Sequence, residues 1–158
     1  ANNAHHSEVN FKHQGVVVGG VPIVGKIDKM IEDDKEMLVY DFKTGKVKHD
    51  WDGKDAREKI TLANYKRQLT FYKLLVEHSH DFSQFTVTKG ILEFLEPENG
   101  KIAELMLHVS DTDVERLTKL IDAVHKKIVT LDFPDISGYE MTVDGITQFE
   151  DDLISGAI

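Results

Sequence analysis

The chain has 158 residues, of which 41% are hydrophobic and 30% charged, and its formal net charge at pH 7 is -9. This balance predicts one globular domain with a hydrophobic core and excludes an intrinsically disordered chain. The absence of cysteine excludes disulfides, thiolate zinc sites and cysteine-ligated iron–sulfur clusters, and it predicts a reducing, cytoplasmic location. No apolar run reaches the ~20 residues of a membrane helix, so no membrane partner is expected.

Three strands are predicted in the first third of the chain. Glu8 to Val18 forms the first strand and is followed by the turn signal Gly19-Gly20. Ile23 to Ile31 forms the second strand, and Met37 to Thr44 forms the third, after a short polar turn. Such short polar connections predict that the three strands pair as an antiparallel meander.

Helices and two further strands are predicted in the remainder. A polar loop with Trp51 leads to a long helix from about Ala56 to His78, for which Asp55 is the expected N-cap. Thr112 and Glu115 are expected to form a capping box at the start of the next helix. The remaining predictions are strands over 85–95 and 101–109, a turn at Pro97–Gly100, the end of the second helix near Thr130, and a terminal helix over 145–154. The order βββ-α-ββ-α predicts a mixed α/β domain.

Polar residues at the end of the third predicted strand suggest a cation site. Because strand side chains alternate between faces, Asp41 and Lys43 point the same way. A carboxylate beside an ammonium can hold a cation and orient a water molecule. Asp28 lies in the preceding strand, and Gln68 and Tyr72 are neighbours on one face of the long helix because they are four residues apart.

Three motifs, in this order, resemble the RecB-like branch of the PD-(D/E)XK nuclease superfamily. They are Gly25-Lys26-Ile27-Asp28, Asp41-Phe42-Lys43-Thr44-Gly45-Lys46 and Gln68-Leu69-Thr70-Phe71-Tyr72. Such domains occur at the C-terminus of UvrD/Rep-type helicases and in helicase–nucleases of DNA repair and recombination. The resemblance covers residues 8–76. It implies a restriction-endonuclease-like αβββαβ core, with a mixed sheet flanked by helices, and it implies that residues 1–158 are a single domain of a larger helicase–nuclease.

The resemblance also implies an activity and a set of site residues. The activity is that of an exonuclease-like deoxyribonuclease that depends on Mg²⁺ or Mn²⁺ and acts on single-stranded DNA or unwound ends, with the helicase domains of the parent chain as partners. The implied catalytic residues are Asp28, Asp41 and Lys43, and the implied metal ligands are Glu8, Asp28, Asp41 and the backbone carbonyl of Phe42. The expected DNA contacts are Gln68, Tyr72, Thr44, Lys46, Lys66 and Arg67.

The distribution of charge supports a nucleic-acid surface although the total charge does not. Residues 43–73 contain nine Lys or Arg and four Asp or Glu, a net charge of +5, whereas the rest of the chain carries -14. Lys46, Lys48, Lys66 and Arg67 are therefore expected to form the main positive surface, and the last two are expected to face solvent.

The same residues are also compatible with ordinary structural roles and with a different function. Asp41 and Lys43 could be an ion pair on a strand, and Trp51 could stack on an unpaired base or, as expected more often, anchor its loop. The alternative function is a catalytically inactive nuclease-fold module that binds DNA or docks other domains of the parent helicase. The acidic surface and the lack of a convincing upstream histidine favour that alternative. A third possibility is an α/β binding module unrelated to nucleic acid.

Overall fold

The computed structural model describes residues 3–158, which form a five-stranded sheet, a two-stranded sheet and three helices. The elements are β1 (His5–Asn10), β2 (Val17–Val18), β3 (Val21–Pro22), β4 (Lys26–Asp33), β5 (Glu36–Lys43), α1 (Ala56–Glu77), β6 (Lys89–Glu98), β7 (Lys101–His108), α2 (Asp111–Thr130) and α3 (Val143–Ser155). The main sheet has the order β1-β4-β5-β6-β7. Within this sheet β5 and β6 are parallel, and the other neighbouring strands are antiparallel, so the predicted mixed α/β class is confirmed.

The first predicted strand is wrong in its extent. β1 ends at Asn10, and the chain turns before Val17–Val18 pairs with Val21–Pro22 in the separate small sheet. Phe11 is fully buried and anchors the start of this turn, while Gly15 has a φ of 63°. A left-handed residue of this kind interrupts a strand. The antiparallel meander is confirmed for β1, β4 and β5.

Helix α1 connects the two parallel strands and covers the core face of the sheet. Parallel strands require a crossover of this kind. Leu62, Leu69 and Val76 recur every seven residues along α1, and all three are buried. The approach to β6 is so close that a Cβ on Gly90 would lie 2.9 Å from Cβ of Leu69. The glycine in β6 therefore permits the contact between helix and sheet.

Strands β6 and β7 form a hairpin, and its turn lies within the predicted turn segment Pro97–Gly100. β6 begins at Lys89 and runs through Glu98, because residues 86–88 make only an isolated bridge from Thr86 to Glu36. The turn consists of Asn99 and Gly100, which have φ values of 52° and 74°. Two left-handed residues in succession match the twist of a tight hairpin.

Helices α2 and α3 form the outer layer of the helical side. The N-cap of α2 is Ser110, whose Oγ accepts a hydrogen bond from N–H of Asp113 at 3.1 Å, so the capping box predicted at Thr112 is wrong. Thr142 caps α3, and Leu153 of α3 is buried. The opposite face of β6 and β7 carries exposed apolar side chains, namely Leu95, Ile102 and Met106. Within residues 3–158, no helix combines the length and the apolar character that crossing a membrane requires.

Candidate active site

Asp41 and Lys43 lie side by side at the end of β5, on the face covered by α1. Asp41 is only 4% exposed, and Lys43 Nζ lies 2.5 Å from Asp41 Oδ2. The same ammonium donates to Gln68 Oε1 at 2.8 Å and lies 4.1 Å from the ring centroid of Tyr65. The lysine is thus fixed by a carboxylate, an amide and an aromatic face.

The second oxygen of Asp41 is held by two donors from α1. Tyr72 OH donates to Asp41 Oδ1 at 2.6 Å, and Gln68 Nε2 donates to the same oxygen at 2.9 Å. Burial, followed by the hydrogen bond to Asp41, raises the pKa of Tyr72 far above that of an ordinary phenol. Because a phenol with a raised pKa stays protonated, Tyr72 remains a hydrogen-bond donor to Asp41 at neutral pH.

Asp28 reaches the same site from β4. The pairing of Lys29 with Tyr40 places Asp28 across from Asp41, one position further along the two strands. The N–H of Phe42 donates to Asp28 Oδ2 at 2.8 Å. The charges of Asp41 and Asp28 both contribute to the raised pKa of Tyr72, so both carboxylates lie near that phenol. The structure therefore brings Asp28, Asp41, Lys43, Gln68 and Tyr72 together.

The oxygen atoms at this site fit a hard divalent cation. Asp41 Oδ2 is buried and has no hydrogen-bond partner among the described residues, because the close approach of Lys43 is an ion pair without hydrogen-bond geometry. The two aspartates offer carboxylate oxygens of the kind that Mg²⁺ takes, and Mg²⁺ normally completes its coordination with water. The backbone carbonyl of Phe42 as a further ligand stays a prediction. Across residues 3–158, no three His, Asp or Glu side chains form a group that could hold a metal.

Glu8 does not join the two aspartates in this conformation. Its position in β1 faces Asp28 by the register of the neighbouring pairs, with a left-handed φ of 50°. The side chain is 78% exposed, and its carboxylate lies 3.4 Å from Lys26 Nζ. The role of Glu8 as a metal ligand stays a prediction, and it requires that this side chain leave Lys26.

The expected positive surface is smaller than the sequence indicates. Lys48 Nζ lies 2.6 Å from a carboxylate oxygen of Glu58, and Arg67 bonds to Glu150 of α3. The expectation that Arg67 faces solvent holds only in part, because its side chain is 40% exposed while its guanidinium pairs with a buried carboxylate of α3. Thr44, Lys46 and Lys66 are exposed.

Two features of the site escaped the sequence-based prediction. Tyr65 lies against the ammonium of Lys43, and its spacing of three residues before Gln68 and seven before Tyr72 was a usable signal. The second is a cleft of about 490 Å³ beside the loop after β5, lined by four cations, among them Lys54 and Arg57, and by as many carboxylates. That cleft depends on the path of the loop, which no local pattern specifies.

Comparisons with known proteins identify the family. The crystal structure of SSO0001 aligns with 82% of this chain at 21% sequence identity and a TM-score of 0.47, and this chain spans 51% of that one. No curated protein matches the sequence. The family model of the PD-(D/E)XK nuclease superfamily matches residues 1–142. Since this match spans most of the chain, the protein belongs to the PD-(D/E)XK nuclease superfamily.

Proposed function

We propose that this chain is a RecB-like nuclease domain that hydrolyses phosphodiester bonds of DNA with Mg²⁺ or Mn²⁺. The observation that carries the proposal is the environment of the Asp41 carboxylate. Its carboxylate is buried, one oxygen lacks a hydrogen-bond partner among residues 3–158, and Lys43 lies against it. In this proposal Asp28, Asp41 and the carbonyl of Phe42 are the metal ligands, and Lys43 acts beside the attacking water.

The residues of the chain have distinct roles in this proposal. A bound divalent ion supplies positive charge at the phosphate and acidifies its water. Tyr72 and Gln68 fix the carboxylate of Asp41 through Oδ1. Oδ2 accepts no hydrogen bond from the described residues, and a metal ion there would take the place that the ammonium of Lys43 holds 2.5 Å away. The ammonium of Lys43 screens negative charge that develops on the phosphate, and its bond to Gln68 keeps it in place.

The substrate and the setting of the domain belong to the same proposal. Lys46, three residues after Lys43, and Lys66, two residues before Gln68, are exposed and can donate to backbone phosphates. Together with the three ordered motifs, they support exonuclease-like cleavage of single-stranded or unwound DNA. We propose that residues 1–158 form one domain of a cytoplasmic helicase-type protein of DNA repair or recombination, in which the helicase domains supply the unwound strand.

Metal titration by calorimetry tests the site directly. Asp41→Asn removes a charged ligand and should weaken Mn²⁺ binding. Lys43→Ala should leave Mn²⁺ binding unchanged or strengthen it, because a nearby positive charge opposes a cation. Asp122→Asn is the control, since that carboxylate is partly exposed on α2 and pairs with Lys126. Equal Mn²⁺ affinity of Asp41→Asn and wild type would remove Asp41 from the ligand set.

Cleavage assays separate the proposed activity from the alternative. Wild type should degrade labelled single-stranded DNA only when Mg²⁺ or Mn²⁺ is present, and both Asp41→Asn and Lys43→Ala should abolish cleavage while Asp122→Asn retains it. The full-length parent is assayed beside residues 1–158. Wild-type protein that binds DNA but never cleaves it, with either metal, would instead establish the inactive nuclease-fold module.

A further inference from the structure

A second cleft, of about 460 Å³, lies between the loop after β5, the first half of α1 and the start of α3. Its size falls in the ~300–1,000 Å³ range of small-molecule pockets. Trp51 lines it together with the half-buried Ala63 and Val143. The exposed cations Lys59 and Lys66 lie in the same lining. The cleft thus combines an aromatic ring, short apolar side chains and two exposed cations.

Trp51 is held in a fixed orientation within this cleft. Its indole Nε1–H donates to the backbone carbonyl of Met106 in β7 at 2.9 Å. The ring is half-buried, and Lys66 Nζ lies 5.5 Å from its centroid. A fixed ring that keeps part of its surface accessible is a stacking platform for a flat group, because little conformational freedom is lost when the group binds.

The charges of the lining decide which class of ligand fits. Lys59 and Lys66 are balanced by Asp52 and Asp144, so the cleft carries no net charge. A free anion would gain little there, whereas a flat uncharged group could stack on Trp51. If that group carries a phosphate, the exposed ammonium of Lys66 can turn from the indole to the phosphate. A nucleobase with its backbone phosphate has this combination of properties.

Both walls of the cleft belong to parts of the chain that also contribute to the candidate active site. Trp51 belongs to the loop that leaves Lys43 at the end of β5. Lys66 lies on α1 two residues before Gln68, but a step of two residues turns about 200° around a helix, so the two side chains leave opposite sides of α1. Tyr65, next to Lys66, contacts Lys43. A strand that occupies both the active site and this cleft therefore has to cross α1.

We infer that the Trp51 cleft is a subsite that stacks one unpaired base of a single strand, with Lys66 contacting the adjoining phosphate. The inference rests on the proposed function, because it takes DNA as the polymer. Base pairing hides the base faces, so the subsite should act on unpaired strands and not on intact duplex. Nucleotides in this cleft should contribute affinity without taking part in bond cleavage.

Tryptophan fluorescence tests the subsite because Trp51 is the chain's single tryptophan. Binding is measured with short oligothymidylate in EDTA, where a metal-dependent nuclease cannot cut. We expect quenching of wild-type fluorescence by oligothymidylate and none by blunt duplex DNA. Trp51→Ala and Lys66→Ala should each weaken binding measured by anisotropy, the former by about ten-fold, and Trp51→Phe should weaken it less. Lys126→Ala, which changes an exposed lysine of α2, should bind like wild type.

The outcomes separate this inference from the proposed function. Unchanged fluorescence on bound oligothymidylate, wild-type affinity of both Trp51→Ala and Lys66→Ala, or no binding at all would overturn the subsite. Cleavage by a protein whose fluorescence does not respond would leave the nuclease proposal intact. Quenching in a protein that never cleaves would support the subsite and overturn the nuclease proposal. Wild-type fluorescence and Lys66→Ala keep the test decisive even when Trp51→Ala fails to fold.

Discussion

Among single residues, Asp41 shows how burial makes a few contacts both stabilise a carboxylate and fix its position. A carboxylate that is 4% exposed has lost most of its hydration, which is costly unless donors replace the water. Tyr72 and Gln68 supply two donors, and the ammonium of Lys43 adds an ion pair. The tyrosine and the glutamine therefore stabilise the folded protein as well as orienting the carboxylate.

Tyr72→Phe tests the contribution of one donor. The change removes the hydroxyl that lies 2.6 Å from Asp41 Oδ1 and keeps the buried ring. Hydrogen bonds to charged groups contribute about 1.5–3 kcal/mol, so the free energy of unfolding in urea should fall by roughly that amount. Tyr139→Phe removes an equally short bond to Asp152 at a half-buried position and should change stability less. Equal losses in the two variants would contradict the role assigned to burial.

Sequence patterns predicted individual residues well where the signal is local. The period of two in β5 and the spacing of four in α1 indicated that Asp41 and Lys43 point the same way and that Gln68 lies beside Tyr72. The bond between Arg67 and Glu150 could not be predicted in this way. The two residues are 83 positions apart, and only the packing of α3 brings them together.

Among the elements, the helix ends also show that residue types narrow the candidates for a cap and that the three-dimensional structure decides between them. Ser110 and Thr112 are both plausible N-caps by residue type. The backbone decides between them, because Ser110 is extended with φ and ψ of -84° and 152°, whereas Thr112 already lies within α2. The predicted first strand failed for a related reason. Its apolar residues continue past Asn10, but the left-handed Gly15 turns the chain into the small sheet.

The cap assignment can be checked with two alanine variants. Ser110→Ala removes the acceptor for N–H of Asp113 and should lower the free energy of unfolding by about 1 kcal/mol. Thr112→Ala changes an exposed side chain that makes no hydrogen bond within the described residues, so its effect should stay within about 0.5 kcal/mol. Denaturant unfolding of both variants measures the difference. A larger loss for Thr112→Ala would restore the capping box that the sequence suggested.

The docking of α3 gives a second prediction at this scale. Glu150 is 9% exposed in its side chain and is held by Arg67 of α1 and Arg116 of α2. Arg67→Glu would place a second carboxylate beside it and should destabilise the fold by about 1–3 kcal/mol. That value is below the full cost of a broken buried pair, because Arg67 is 40% exposed and Arg116 remains. Lys66→Glu is the control, because it makes the same reversal of charge at the adjacent, exposed position.

Circular dichroism during thermal unfolding distinguishes these two reversals. Arg67→Glu should lower the midpoint temperature of unfolding, whereas Lys66→Glu should unfold at the wild-type temperature. Loss of DNA affinity in Arg67→Glu would then reflect the displaced α3 as well as the lost charge. Unchanged stability of Arg67→Glu would show that the α1–α3 contact does not depend on this ion pair.

At the scale of the whole molecule, a net charge of -9 must be reconciled with a polyanionic substrate. The conflict is resolved by distribution, since residues 43–73 carry +5 while the rest carries -14. Fields from distant acids are screened beyond the Debye length of ~8 Å at physiological ionic strength. DNA near the end of β5 therefore responds mainly to the local cations, and the acidic remainder disfavours binding elsewhere on the surface.

The dependence of DNA affinity on salt concentration measures how many of these cations contact phosphates. The affinity for single-stranded DNA in EDTA should fall linearly with the logarithm of salt concentration, and the slope changes by about 0.7 for each phosphate neutralised. Lys46 is exposed and belongs to no ion pair among the described residues. Lys46→Ala should therefore reduce the slope by about one such step, whereas Lys48→Ala, whose ammonium already binds Glu58, should reduce it less. Anisotropy titrations over several salt concentrations give both slopes. If the two variants keep the wild-type slope, DNA passes the site by a path that avoids this loop.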